Sequence, residues 1–323
     1  MAGKRVLPPL LNGGVAIVGL GLMGGSIARA LKEYSRDIKI AALDQVEEPL
    51  ERALADGTVD EAAVLGTEPE KTRRILSECR FIVLALYPAG MIRFLLENRE
   101  CFSEGTVVMD ICGLKGDFVT EAQNVLPSTV EFIGAHPMAG REKSGYAYAS
   151  GELFLGATFI VTPTEKNRPE TVRATYELAK ILGFARVREV DPEEHDRLIA
   201  YTSHMPHVLA SVLMRAWNGG DEVKSFAGGG FRDATRVADI NEDLWTELFM
   251  MNSQALTESL HAFLVAYGEF LSLMEASDAE GLKAFLRESA ERKRSWNEEQ
   301  ARFELNIGKD APGKDTADGN QNR

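Results

Sequence analysis

Gly19-Leu20-Gly21-Leu22-Met23-Gly24 follows the apolar run Val15 to Val18 and opens an amphipathic segment that continues from Ser26 to Tyr34. Glycines at this spacing commit the chain to a tight strand-to-helix turn. Gly19 permits the turn, Gly21 lets the backbone approach a pyrophosphate, and Gly24 permits close contact between helix and strand. The helix start adds unpaired N–H groups and the positive end of the helix dipole, so Leu22 and Met23 belong to the same anion cradle. Asp44, twenty residues beyond Gly24, ends the next apolar run, where its carboxylate can accept hydrogen bonds from a ribose diol. It repels a 2′-phosphate, and neither Gln45 nor Val46 offers a compensating cation. NAD is therefore expected rather than NADP.

The rest of the first half agrees with such a turn. β-Branched runs recur at Val15 to Val18, Ile38 to Leu43, Phe81 to Leu86, Val107 to Ile111, Phe132 to Ala135, Phe159 to Thr162 and Val187 to Val190. Amphipathic segments such as Thr171 to Leu182 separate them. The alternation predicts an α/β fold: an N-terminal Rossmann-type, doubly wound, mostly parallel sheet over residues 1–190. Three runs are followed by unusual residues, namely Tyr87-Pro88, Asp110 to Lys115 and His136-Pro137. In open α/β sheets ligands bind outside the carboxyl ends of the strands, so these three loops are expected to converge beside the nicotinamide.

From Asp191 onward strand signals stop. Asp191-Pro192-Glu193-Glu194 reads as an N-cap, a proline at the first helical position and an acidic first turn. Apolar residues from Leu244 to Met274 predict one long helix, whose stripe is expected to pack against a helix of a second subunit. Residues 191–305 are expected to form an all-helical dimerisation domain, and 306–323 a disordered tail. A chain of 323 residues accommodates two domains of about 150 residues each.

Bulk properties exclude several classes. The net charge of -13 argues against a nucleic-acid or anionic-membrane surface, and an anionic substrate would need a local cationic pocket. Cys79, Cys101 and Cys112 form neither an even set nor a CxxC pair, so no disulfide framework or zinc site is expected, and a reducing cytoplasm fits. No stretch has the length of a membrane span or the pattern of a signal peptide.

Four of the five histidines fall in two clusters: His136 in Gly134 to Gly140, and His195, His204 and His207 in Glu194 to His207. Histidine titrates nearest neutrality and is the usual proton carrier in catalysis. His136 reads as a base on a loop after a sheet strand, or as a loop-stabilising residue beside Pro137. Arg232 and Arg236, after the glycine run Gly228 to Gly230, read as an anion clamp or as partners of Asp233 and Asp239. The spacing of His204 and His207 places both on one helix face unless Pro206 makes a kink, and metal binding is not expected there. Cys112 reads as a packed apolar residue and Trp245 as core or interface.

In this order the motifs resemble those of the prephenate dehydrogenase family, enzymes of the tyrosine pathway that act on prephenate or arogenate. The resemblance covers about residues 14 to 297. It rests on the glycine loop with Asp44, on Asp110-Ile111-Cys112-Gly113-Leu114-Lys115 and on His136-Pro137-Met138-Ala139-Gly140. Ser144-Gly145, His195-Asp196, Ser203 to His207, and Gly230 to Arg236 followed by Trp245 complete it. It implies an NAD(P)-binding sheet domain, a helical domain that dimerises, and oxidative decarboxylation of a cyclohexadiene to an aromatic ring. By the same resemblance His136 matches the histidine that contacts the substrate hydroxyl. Arg236 matches the arginine that binds a substrate carboxylate, and His207 a substrate-side histidine with His204 beside it. Lys115 either helps place the carboxylate or nicotinamide or is solvated. Many relatives carry a serine where this chain has Gly113, so support for His136 is expected from Ser144 or from water.

Two other readings remain at this point. One is a β-hydroxyacid dehydrogenase of the 6-phosphogluconate type, which uses a helix lysine where this chain has histidines. The other is a non-catalytic NAD(H) sensor, which would need neither His136 nor Arg236.

Overall fold

The computed structural model describes residues 8–141 and 143–310, with side chains to residue 301. Eight strands form one sheet: β1 (Val15–Val18), β2 (Ile40–Asp44), β3 (Glu61–Val64), β4 (Phe81–Leu84), β5 (Val107–Asp110), β6 (Glu131–Met138), β7 (Thr158–Thr162) and β8 (Arg186–Glu189). Their order is β3-β2-β1-β4-β5-β6-β7-β8. Every pairing is parallel except that of β6 with β7. The central strands are apolar on both faces because helices cover both. Ile17, Val83, Met109 and Ile133 enter one core cluster, while Val18, Ile82, Val108 and Phe132 enter the other.

The expected runs all became strands, with ends shifted by no more than two residues except in β6, which runs three residues past Ala135. β3 was not expected: Glu61-Ala62-Ala63-Val64 has low strand propensity, and pairing with β2 makes it a strand. The larger correction concerns β6. Its ladder with β5 stops at Gly134 opposite Asp110, yet β7 continues to pair with it through Met138. The stretch from Ala135 to Met138 thus overhangs the carboxyl edge of the parallel strands. Pro137 is tolerated there because one side of the strand is already unpaired. His136 therefore lies in a strand opposite Ile160, not on a loop.

By contacts the chain divides into a unit through Ser259 and a unit from Leu260. In the first unit the Pro192–Ile199 helix starts as expected, with Asp191 Oδ1 accepting the N–H groups of Glu193 and Glu194. It continues through a π-turn over Ala200–His204 into the Met205–Ala216 helix. The long helix expected from Leu244 to Met274 is interrupted. Helices Glu242–Met251 and Ser253–Glu275 meet at Asn252, whose buried amide is spent on Asp196 O instead of on the helix surface. In the second unit the end of Ser253–Glu275 and the Ala279–Asp310 helix form a hairpin, with Phe270 edge-on to Phe285. The expected tail begins inside this helix, and residues 311–323 lie outside the described residues. No described helix is long and apolar enough to cross a membrane.

A fully buried ion pair closes the exit from β5. Lys115 Nζ lies 2.6 Å from Asp110 Oδ2 and also donates to the carbonyls of Cys112 and Leu114. Burial pushes the Asp110 carboxyl up, and the Lys115 ammonium opposes that shift. Removing one partner leaves an uncompensated charge in the interior. Lys115→Met should lower the unfolding free energy by about 3–5 kcal/mol in urea titrations, and adding Asp110→Asn should restore part of it.

Candidate active site

The glycine loop is set by close backbone contacts. Gly19 has φ +93°, and a Cβ there would sit 2.4 Å from Ala85 O. A Cβ on Gly24 would sit 2.0 Å from Gly19 O. Gly21 is the opposite case, with nothing within 4 Å of such an atom. Its carbonyl accepts Gly25 N–H and starts the Leu22–Tyr34 helix, so the N–H groups of Leu22, Met23 and Gly24 have no acceptor in an earlier turn. Asp44 stands at the end of β2, its two oxygens accepting Leu20 N–H at 2.6 Å and Val46 N–H at 2.9 Å. Further lone pairs remain for a diol. An open backbone cradle beside a carboxylate fits NAD. Tyr87 is exposed at the N-cap of the Pro88–Asn98 helix, Pro88 is buried, and Glu247 Oε1 accepts Ala89 N–H at 2.6 Å.

His136 is half-buried on the overhang of β6. Its Nδ1 lies 3.0 Å from Nε2 of His195, and His195 Nδ1 lies 2.7 Å from Asp196 Oδ1. The same carboxylate oxygen accepts Lys115 N–H at 2.8 Å. Burial pushes His136 well below the ordinary histidine range, with the neighbouring His195, Lys115 and His204 adding in the same direction. Burial also lowers His195 and outweighs its contact with Asp196. A Cβ on Gly113 would lie 4.0 Å from His136 Cε1 and 3.8 Å from Leu248, so no side chain of residue 113 covers the outer edge of the ring.

The π-turn presents the second histidine cluster. Met205 N–H bonds Ala200 O, five residues back, which accommodates Pro206 in a continuous helix. His204 is buried edge-on to Trp245 and Phe249, with its Nδ1 3.5 Å from Asn252 Nδ2. Burial pushes it down to about 4. His207 stacks on Trp245 with ring centres 3.6 Å apart, and its Nδ1 bonds Ser203 O. Trp245 is thus the partner of a site histidine rather than only core or interface. Arg236 is exposed in the Arg236–Ala238 turn, which packs against the helix carrying His207.

Residues 27–188 match the prephenate dehydrogenase nucleotide-binding domain, and residues 191–288 match the prephenate dehydrogenase dimerization domain. The chain is 31% identical to the prephenate dehydrogenase of Bacillus subtilis over 279 residues, 84% of this chain and 73% of that one. The chain belongs to the prephenate dehydrogenase family. Among solved structures, it superimposes on prephenate dehydrogenase of Aquifex aeolicus, in complex with hydroxyphenyl propionate and NAD+, with a TM-score of 0.80 and 28% identity. That match covers 87% of this chain and 97% of the other. Arogenate dehydrogenase of Synechocystis gives a TM-score of 0.75 at 26% identity over 88% of this chain and 99% of that one. Family membership removes the 6-phosphogluconate-type and sensor readings.

The structure brings His136, His204, His207 and the Lys115 backbone into one neighbourhood. Two expectations change. Lys115 is neither solvated nor free to meet a ligand, because Asp110, Cys112 and Leu114 engage its ammonium and it is wholly buried. Its backbone N–H serves the site instead. Support for His136 comes from His195, whereas Ser144 is exposed between Gly140 and Gly145. His195 and Asp196 stand out in the sequence as a cluster member and as a motif, but not as the support of His136. Adjacent residues on a helix point in different directions, so a neighbouring His-Asp pair does not read as an interacting one.

All four histidines are held neutral, each lowered chiefly by burial. Below the ordinary value of 6.5 the unfolded chain takes up protons that the folded chain resists. Melting temperature should therefore fall as pH drops from 6.5 towards about 4, and His204→Gln should make the fall shallower in thermal melts.

Proposed function

We propose that the chain is an NAD-dependent prephenate dehydrogenase in which His136 is the proton acceptor for the substrate hydroxyl. The observation that carries this reading is a neutral imidazole held on a rigid strand just beyond the carboxyl edge of a sheet whose glycine loop fits NAD. When bound, NAD supplies the acceptor for the hydride that the hydroxyl-bearing ring carbon gives up as the ring carboxylate leaves as carbon dioxide. His136 Nε2 takes the hydroxyl proton as that carbon–oxygen bond gains double-bond character. It returns the proton to the phenolate oxygen once the ring is aromatic, giving 4-hydroxyphenylpyruvate without net proton release.

The other residues hold the substrate. Arg236 pairs its parallel N–H groups with a substrate carboxylate, a task suited to guanidinium. His207, fixed by its stack on Trp245, and His204 form the substrate-side wall. Ser144 is a further contact from the loop after β6. Gly19, Gly21, Leu22, Met23 and Gly24 hold the pyrophosphate, Asp44 the ribose, and Tyr87 and Pro88 flank the nicotinamide. On this reading residues 1–190 bind the cofactor, and residues 191–305 carry the substrate-side groups and the dimer contact. Exposed Leu264, Val265, Tyr267, Leu271 and Met274 suit a homodimer through the helical domain. Three buried free cysteines suit a cytoplasmic enzyme.

NADH formation should be followed with prephenate and with arogenate, each offered with NAD and NADP. Turnover with prephenate and NAD is expected, and absence of any turnover with prephenate would refute the assignment. His136→Asn should lose about 10²–10⁴-fold in kcat with NAD affinity unchanged. In the unsubstituted enzyme the acid limb of kcat/KM should lie below pH 6.5, because burial keeps His136 neutral there.

A further inference from the structure

We propose that His195 and Asp196 are positioning residues that fix the tautomer of His136, leaving its Nε2 as the unprotonated nitrogen. The inference rests on the reading of His136 as the base. It follows from counting hydrogens along four groups. Asp196 Oδ1 accepts Lys115 N–H at 2.8 Å and lies 2.7 Å from His195 Nδ1. A carboxylate only accepts, so His195 Nδ1 carries a hydrogen. A neutral imidazole has one N–H, so His195 Nε2 is a lone pair. It lies 3.0 Å from His136 Nδ1, which must then donate. The remaining nitrogen of His136, Nε2, is bare and able to take a proton.

The chain of donors runs one way only because its end is pinned. Lys115 N–H and His195 Nδ1 both need an acceptor, and they share one oxygen of Asp196. The other oxygen fits because residue 116 is glycine: a Cβ there would come within 2.8 Å of it. Asn252 Nδ2 donates to the Asp196 carbonyl at 2.9 Å, fixing the backbone as well. Without the carboxylate, the same two rings can hydrogen-bond in the reverse sense. The proton would then sit on His136 Nε2, where a hydroxyl meets a donor instead of a base. The device supplies what a serine at position 113 cannot supply in this chain.

Protein labelled with ¹⁵N-histidine reads the tautomer directly, with His136 assigned by its loss in His136→Asn. In the unsubstituted protein Nδ1 of His136 is expected to show an N–H signature and Nε2 a bare-nitrogen one. Asp196→Ala should mix the two signatures and lower kcat about 10–100-fold, the scale for losing an orienting partner, while KM changes less than about twofold. Asp196→Asn keeps an oxygen that Lys115 N–H holds in place, and should recover most of the tautomer and at least about tenfold in kcat over Asp196→Ala. Should Asp196→Ala not fold, His195→Leu removes the acceptor while leaving the Asp196–Lys115 contact, and the same mixing is expected. A proton found on Nε2 of His136 in the unsubstituted protein overturns the proposal. So do unchanged signatures and unchanged kcat in Asp196→Ala or His195→Leu. Full turnover by His136→Asn would instead remove the parent reading, and the nitrogen signatures would still decide the tautomer.

Discussion

The segment from Asp110 to Lys115 joins the two halves of the site, and Lys115 does so at both ends. Its ammonium is held inside the sheet unit by Asp110 and two carbonyls. Its N–H reaches Asp196 on the helix after residue 191. A side chain that meets no ligand thereby sets where the helical histidines stand relative to β6. Buried ion pairs are weak evidence of stability, since desolvation offsets most of the attraction. Their value here is geometric. With every donor of the ammonium engaged, the loop has one arrangement, and the backbone N–H that Asp196 needs is presented in a fixed direction.

Much of the fold could be read from residues because the physics was local. Ile17, Val83 and Ile133 lie in short apolar runs rich in β-branched residues, so their strands announced themselves. Asp191 and Pro192 marked a helix start that needs no tertiary context. What could not be read was set by partners distant in sequence. β3 is a strand because β2 pairs with it, not because Glu61-Ala62-Ala63-Val64 prefers one. The break at Asn252 serves a hydrogen bond to Asp196, 56 residues away. The apolar period across that break stayed intact, so periodicity alone predicted one helix.

The site shows the same division. His136, His195, His204 and His207 stand out by residue type and clustering, and the structure adds the contact of His136 with His195. A lysine after a sheet strand near a cofactor loop looks available, and only its burial shows that it is not. By sequence His136 falls on a loop, because the apolar run before it ends at Ala135. The antiparallel partner β7 keeps the strand going past the end of β5, and a strand holds a base more firmly than a loop does.

Charge sets a last constraint. A chain with net charge -13 that handles an anionic substrate must concentrate its cations. The four site histidines do not help, since burial keeps them neutral. Lys115 does not help either, since Asp110 neutralises it. Under the proposed reading the carboxylate falls to Arg236, and the pyrophosphate to the N–H groups that start the Leu22–Tyr34 helix. The division has a chemical logic. A protonated imidazole would attract the substrate but could not accept its proton, so the groups that hold charge and the group that moves the proton must be different residues.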